Sequence, residues 1–283
     1  MKQAILVVAF GTTVQTAREK NINAVVDAIA NHYSDYDVFL AFTSRIIVSR
    51  LRERGETIDT EVSMMEKLVA EGYEKVIVQP LHLIGGEEFE KLKTNVSIFL
   101  GQGVCKEIKF GRPLLYFMGQ EERPDDYQIL ISDFIESLEI PKEEGVVFIG
   151  HGGNNIGNAS YAVLQMKLWQ LGHNNVRIAC LESYPELEDT VYNWLQADNQ
   201  IKKVHLHPLL LVAGEHALND IFADEEDSIR YQLQSLGADV SCYYAGLGEY
   251  DAIQRIYIQH IADAIAHKFE KRASHRPAIP KIK

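Results

Sequence analysis

The segment Val76-Ile-Val-Gln-Pro-Leu-His-Leu-Ile-Gly-Gly-Glu-Glu returns 128 residues later as Val204-His-Leu-His-Pro-Leu-Leu-Leu-Val-Ala-Gly-Glu-His. Six positions are identical at that offset: Val76/Val204, Pro80/Pro208, Leu81/Leu209, Leu83/Leu211, Gly86/Gly214 and Glu87/Glu215. Two further matches occur in the same order. Ala9-Phe10-Gly11 lies over Gly150-His151-Gly152, and Phe42-Thr43-Ser44 lies over Leu181-Glu182-Ser183. One match of this kind is expected by chance, but three in the same order point to an internal duplication. The chain is therefore expected to fold as two halves of common design, joined through the polar stretch that opens at Glu121-Glu-Arg-Pro-Asp-Asp.

Each half alternates short β-rich runs with longer helical patterns, the signature of an α/β fold with parallel sheets. The apolar runs Ile5–Phe10, Val38–Phe42, Val76–Leu81, Glu107–Phe110, Val146–Ile149, Val176–Leu181 and Val204–Leu211 read as strands. Met64, Met65, Leu68 and Val69 mark a helix that stops near Gly72, and Ile253, Ile256, Ile261, Ile265 and Phe269 mark a long amphipathic helix near the end. The boundaries expected are an N-terminal α/β domain over 1–125, a C-terminal α/β domain with its long helix over 126–270, and a basic tail over 271–283.

At 283 residues, 46% apolar and 24% charged, the chain has the balance of a soluble globular protein. No apolar run reaches the roughly 18 residues of a membrane span. The apolar N-terminus runs straight into a turn and a polar helix pattern, so it reads as a buried strand rather than a signal peptide, with a cytoplasmic setting. A net charge of −12 disfavours nucleic acid. Cys105, Cys180 and Cys242 show no CxxC pairing, which argues against a disulfide framework and against a thiolate metal site. Composition leaves oligomeric state open, a homo-oligomer included.

The repeat also locates chemistry. Each matched triplet falls where a strand's C-terminal end meets its loop, the place where open α/β sheets bind ligands. In the N-terminal half these positions hold Phe10, Thr43 and Glu88; in the C-terminal half they hold His151, Glu182 and His216. Two imidazoles and a carboxylate form an N/O ligand set suited to a first-row divalent metal with open coordination positions. Plainer readings stand beside this one. His151 could occupy a tight glycine turn, Glu182 could belong to a helix start capped by Ser183 and Glu186, and His216 could be a loop histidine. An acid directly after a buried strand is costly unless paired, which favours function for Glu182. His205, His207 and His82 read as structural histidines. The run from Gly150 lacks the third glycine of a dinucleotide loop, and no GxxxxGK[ST], GxSxG or HExxH motif occurs.

A set of strings carries a family resemblance over about residues 1–265. It comprises Leu6-Val-Val-Ala-Phe-Gly-Thr-Thr, Ala41-Phe-Thr-Ser, Leu81-His-Leu-Ile-Gly-Gly-Glu-Glu-Phe-Glu-Lys, Gly150-His-Gly, Glu182-Ser-Tyr-Pro-Glu and Leu211-Val-Ala-Gly-Glu-His-Ala-Leu-Asn-Asp. The chain resembles the anaerobic sirohydrochlorin cobalt chelatases. The resemblance implies two flavodoxin-like or Rossmann-like halves with a cleft between them, and insertion of Co2+ into sirohydrochlorin on the way to cobalamin. It implies metal ligation by His151, Glu182 and His216, with no organic cofactor. Iron and nickel also suit such a ligand set, because intrinsic affinities do not discriminate sharply among these metals. Insertion releases two pyrrole protons, so His151 and His216 are expected to deliver the metal and accept a proton, and Glu88 to shuttle a proton or orient the macrocycle. Phe10, Gly11, Thr12, Thr13 and Arg45 are the expected substrate contacts. The rival from another class is a tetrapyrrole or metal carrier that uses the same cleft without turnover. A periplasmic-type binding protein would be favoured only by a cleaved N-terminus.

Overall fold

The structure, a computed structural model, describes residues 2–197 and 200–269, and for 215–217 the backbone alone. The basic tail expected over 271–283 lies outside the described residues.

Two parallel sheets carry the fold. The first contains β1 (Lys2–Ala9), β2 (Asp37–Phe42), β3 (Asp59–Thr60), β4 (Tyr73–Pro80) and β5 (Glu107–Phe110), in the order β3-β2-β1-β4-β5. The second contains β6 (Gly145–Gly150), β7 (Val176–Cys180), β8 (Lys203–Pro208) and β9 (Asp239–Cys242), in the order β7-β6-β8-β9. Every pairing in both sheets is parallel. β1 and β6 are central, with side chains buried from Ala4 to Ala9 and from Gly145 to Gly150. Strands covered on both faces have no solvent side to make polar, which is why these runs are continuously apolar rather than alternating.

The duplication is present in the topology: β2-β1-β4-β5 superposes in order on β7-β6-β8-β9. It extends to single hydrogen bonds. Leu81 N donates to Val8 O at 2.7 Å, and Leu209 N donates to Ile149 O at 2.7 Å. β3 has no counterpart among the described strands of the second sheet.

Two expectations about elements need correction, and two strands were not read from the sequence. The strand expected over Val204–Leu211 ends at Pro208, whose missing N–H cannot extend the ladder, and the residues after it turn away. β3 and β9 were not legible: one is two residues long, and the other mixes Asp239, Val240, Ser241 and Cys242 at a sheet edge. The last helix spans Asp251–Ile265 and excludes Phe269, whose φ of 69° is left-handed. The polar stretch that opens at Glu121 is short. From Asp126 to Leu138 the chain is helical, and Tyr127, Leu130, Ile131 and Phe134 are buried in the central core.

That central core joins the halves, containing Ile5, Val7 and Phe42 from the first sheet and Val146, Phe148 and Ile178 from the second. The outer faces have their own clusters, around Leu6, Val8 and Val78 on one side and Val147, Ile149 and Leu206 on the other. The last helix returns to the first sheet. The Tyr257 hydroxyl donates to Leu81 O at 3.2 Å, and Lys109 Nζ donates to Ile265 O at 3.0 Å. Arg112, just past β5, lies in the same region. Its guanidinium bonds Asp126 at 2.9 Å and Asp263 at 2.8 Å, and all three side chains are buried.

Candidate functional site

A cleft of about 450 Å³ opens between the C-terminal ends of the two sheets. Its walls are loops that follow β1, β4, β6 and β8, as expected for parallel sheets, whose strand ends diverge to leave a crevice.

The repeat places two glycines at equivalent bends. Gly11 has φ of 103° and Gly152 has φ of 86°. A Cβ on Gly11 would stand 2.5 Å from the Phe42 ring, and one on Gly152 would stand 2.9 Å from Ser183 Cβ. Only glycine satisfies both the left-handed backbone and the close approach. The residue before each glycine is thereby turned out to the crevice: Phe10 on one wall and His151 on the other. Phe10 is 52% exposed, a large apolar ring left facing solvent at the cleft.

His151 meets Glu182 as neighbours. Leu181 N donates to Gly150 O and Glu182 N donates to His151 O, both at 3.0 Å, so the ends of β6 and β7 run together beyond the sheet. His151 Nδ1 is 3.7 Å from Glu182 Oε2 and 3.2 Å from Gly152 O. Both side chains are well exposed, at 56% and 68%. Glu182 therefore has no desolvation penalty to explain, contrary to the argument from its place after a buried strand. The capping reading fails as well. The Ser183 hydroxyl donates to Gly153 O at 3.0 Å and accepts from Asn158 Nδ2 at 3.1 Å, so it braces the His151 loop instead of starting a helix.

Glu88 and His216 occupy equivalent first turns. Glu88 lies in the helix Glu87–Gly101 behind Gly86 (φ −91°, ψ −167°), and His216 lies in the helix Glu215–Phe222 behind Gly214 (φ −88°, ψ −176°). Glu88 lines the cleft and pairs with Lys91 at 3.3 Å. The side chain of His216 lies outside the described residues. Among the described residues no group of three His, Cys, Asp or Glu stands close enough to hold a metal ion.

The expected substrate contacts divide. Phe10 and Gly11 line the cleft, whereas Thr12, Thr13 and Arg45 are not among its lining residues. Thr12 is buried, with its hydroxyl accepting from Val14 N at 3.2 Å, and Thr13 offers its carbonyl to Arg54 at 3.0 Å. Arg45 is exposed at the start of the helix Arg45–Glu53. These residues follow the strand ends in sequence, but the chain has already turned toward its helices when it reaches them.

His82, read from the sequence as structural, stands at the cleft. It lines the cleft, and both of its ring nitrogens are buried without a hydrogen-bond partner. Burial pushes its pKa down to about 4, against the opposing pull of Glu88. Leaving a buried donor or acceptor unsatisfied costs about 1–3 kcal/mol per group. A signal was available in the sequence: position 82 is histidine where the repeat has Leu210. The other two histidines pack against Tyr243, although His207 Nε2 is likewise buried without a partner. His205 Nδ1 meets the Tyr243 hydroxyl at 2.8 Å, and His207 stacks on the Tyr243 ring with centroids 4.1 Å apart.

Comparison with known proteins decides the family. The model of the cobalt chelatase (CbiK) family matches residues 3–266. The chain belongs to the cobalt chelatase family. Two relatives place it further within that family. A sirohydrochlorin cobaltochelatase of Salmonella typhimurium is 36% identical over 275 residues, covering 96% of this chain and all of the relative. The sirohydrochlorin cobaltochelatase CbiKC of Nitratidesulfovibrio vulgaris is 27% identical over 265 residues, covering 94% of this chain and 91% of the relative. Among solved structures, SirB from Bacillus subtilis with Fe3+ has a TM-score of 0.64 at 17% identity, covering 94% of this chain and 97% of that one. At that identity the likeness concerns the fold, and it agrees with the two-sheet architecture of the family.

Proposed function

We propose that this chain inserts Co2+ into sirohydrochlorin, with the metal approaching from the His151 wall of the cleft and the macrocycle lying against the apolar wall that contains Phe10. The observation that carries this reading is the pairing of His151 with Glu182 beside an apolar crevice, in a chain of the cobalt chelatase family.

The chemistry asks for a loosely held metal. A site that bound cobalt with full coordination would not release it to the ring, whereas exposed N and O ligands with open positions suit a transferring site. With the His151 Nδ1 proton directed to Gly152 O, Nε2 presents its lone pair for the metal. Glu182, at 3.7 Å, offsets positive charge on the imidazole or the ion. His216 is assigned as the third ligand from its place in the repeat and from the family resemblance. As the ion enters, two pyrrole N–H bonds break, their electron pairs become metal–nitrogen bonds, and two protons must be taken up by bases in the cleft. Glu88, on the opposite wall, is assigned to that removal. The unpaired cysteines Cys105, Cys180 and Cys242 suit the reducing cytoplasm in which we place the protein.

Purified protein given sirohydrochlorin and Co2+ should complete many turnovers, followed by the change in the absorption spectrum. Stoichiometric binding without turnover would replace this reading with that of a carrier. The same assay with Fe2+ and Ni2+ in competition assigns the metal.

A further inference from the structure

The loops that carry His151 and Glu182 are tied together by two side chains behind them. Asn158 closes the short turn Ile156–Asn158 and is 8% exposed. Its Nδ2 donates to Ser183 Oγ at 3.1 Å and to Tyr184 O. Ser183 Oγ in turn donates to Gly153 O at 3.0 Å. One chain of hydrogen bonds therefore joins the residues just after Glu182 to the loop just after His151. The two ligand side chains project into solvent, 56% and 68% exposed, so their spacing is set by the backbone that carries them. The repeat shows that the common design does not require this brace. Ser44 is the matching serine of the first half, and its hydroxyl accepts from Ile47 N at 3.4 Å to cap the helix Arg45–Glu53. A serine at the same strand end thus starts a helix on the Phe10 wall and ties two loops on the His151 wall.

We propose that Ser183 and Asn158 are positioning residues of metal delivery: together they hold the His151 and Glu182 loops at the spacing from which both side chains reach one cobalt ion. This rests on the chelatase reading above. Neither residue is a ligand; both act through the loops they tie. Ligands on two untied loops would sample many separations, and each binding event would have to order them. That cost weakens affinity although every ligand is still present. A site that must release its metal has few ligands, so preorganisation of those few matters more than in a closed site. The brace lies within the second half of the molecule, and the Phe10 wall that receives the macrocycle takes no part in it.

The test uses Ser183→Ala, Asn158→Ala, the double variant and, for comparison, Ser44→Ala. Four quantities are measured on each: Co2+ affinity by titration of the macrocycle-free protein, the Co2+ KM and kcat of insertion, metal-free sirohydrochlorin affinity, and thermal stability. Ser183→Ala should raise the Co2+ Kd and KM about tenfold, the scale of one or two lost hydrogen bonds. Its sirohydrochlorin affinity should stay within about twofold of wild type. Ser44→Ala should do the reverse, lowering the melting temperature as a lost helix cap does and leaving Co2+ affinity unchanged. Asn158→Ala should also weaken Co2+ binding, and its effect should shrink in the Ser183→Ala background because the two residues share a hydrogen bond. A Co2+ affinity of Ser183→Ala within about twofold of wild type overturns the proposal. So does an equal loss of Co2+ and sirohydrochlorin affinity, which would mark a general loosening of the fold, or a pair of single effects that simply add. A wild type that binds Co2+ without inserting it removes the chelatase reading, while the Co2+ titrations still decide the brace. A wild type that neither binds nor inserts Co2+ overturns both.

Discussion

His151 Nδ1 stands 3.7 Å from Glu182 Oε2, although the two residues are 31 positions apart in the chain. The pairing exists because β6 and β7 are parallel neighbours, with Gly150 in register with Cys180. Side chains just beyond that register point meet, with His151 lining the crevice and Glu182 beside it.

Because the His151 side chain is exposed, His151→Ala should change stability by no more than about 0.5 kcal/mol. Cobalt insertion should fall about a hundredfold or more, the loss expected when a ligand and proton acceptor is removed. Thermal melts and insertion assays on the same preparation check this, and near-wild-type turnover would remove His151 from the site.

Gly152 and Gly153 make an internal comparison. A Cβ at Gly152 meets Ser183 and Cys180 at 2.9 and 3.0 Å on a left-handed backbone, whereas Gly153 has nothing within 4 Å. Gly152→Ala should destabilise by about 1–3 kcal/mol and displace His151 from Glu182. Gly153→Ala should be close to neutral. Denaturant unfolding and insertion rates of the pair should separate cleanly; equal effects would mean the bend does not depend on glycine.

Gly157 touches the other half of the molecule. Its would-be Cβ lies 2.5 Å from Gly85 O and 2.9 Å from Gly86 Cα, next to the helix start that carries Glu88. Gly157→Ala should force these backbones apart, with an overpacking cost of about 1–3 kcal/mol. We expect sirohydrochlorin KM to rise more than kcat falls, since the separation of the walls changes while the His151–Glu182 pair is untouched. Steady-state kinetics that show only a kcat effect would contradict this.

Arg112 holds two buried carboxylates. Burial by itself would raise the pKa of Asp126 and Asp263. The His260 ring, with Nε2 3.5 Å from Asp126 Oδ1, and hydrogen bonds from Arg112 to Asp126 and from Arg112 and Gln259 to Asp263, outweigh it and hold both below the ordinary range. Groups with lowered folded pKa values stabilise the fold above the unfolded value, near 3.9, and lose that contribution as pH falls through the folded value. Wild-type stability should therefore be flat near neutrality and fall below about pH 4. Arg112→Met should destabilise the neutral protein by about 3–5 kcal/mol, because two buried carboxylates lose their cation, and should flatten the acid dependence. Urea unfolding across pH 3–7 provides the measurement.

Much of this molecule was legible in the linear chain. Central strands buried on both faces must be apolar throughout, so β1, β4, β6 and β8 announced themselves, and the 128-residue offset announced their duplication. The same comparison of the two halves aligned Phe10 with His151 and Glu88 with His216, which set the candidate residues at strand ends before any coordinates. The edge strand Asp239–Cys242 was not legible, since its residues mix polar and apolar types without a pattern of their own.

Tertiary structure decided what sequence order could not. Thr12, Thr13 and Arg45 follow the right strand ends, yet the cleft is lined by other residues, because a turn of one or two residues redirects the chain into its helix. His82 resembled His205 and His207 in the sequence as a histidine in or beside a strand. Only packing showed that His205 has the Tyr243 hydroxyl and His207 stacks on the Tyr243 ring with its Nε2 unpartnered, while neither ring nitrogen of His82 has a hydrogen-bond partner. Periodicity and repeats are local properties of the chain and specify elements and their order. Whether a polar atom finds a partner depends on groups brought from distant positions, and that is determined when the two sheets close on one another.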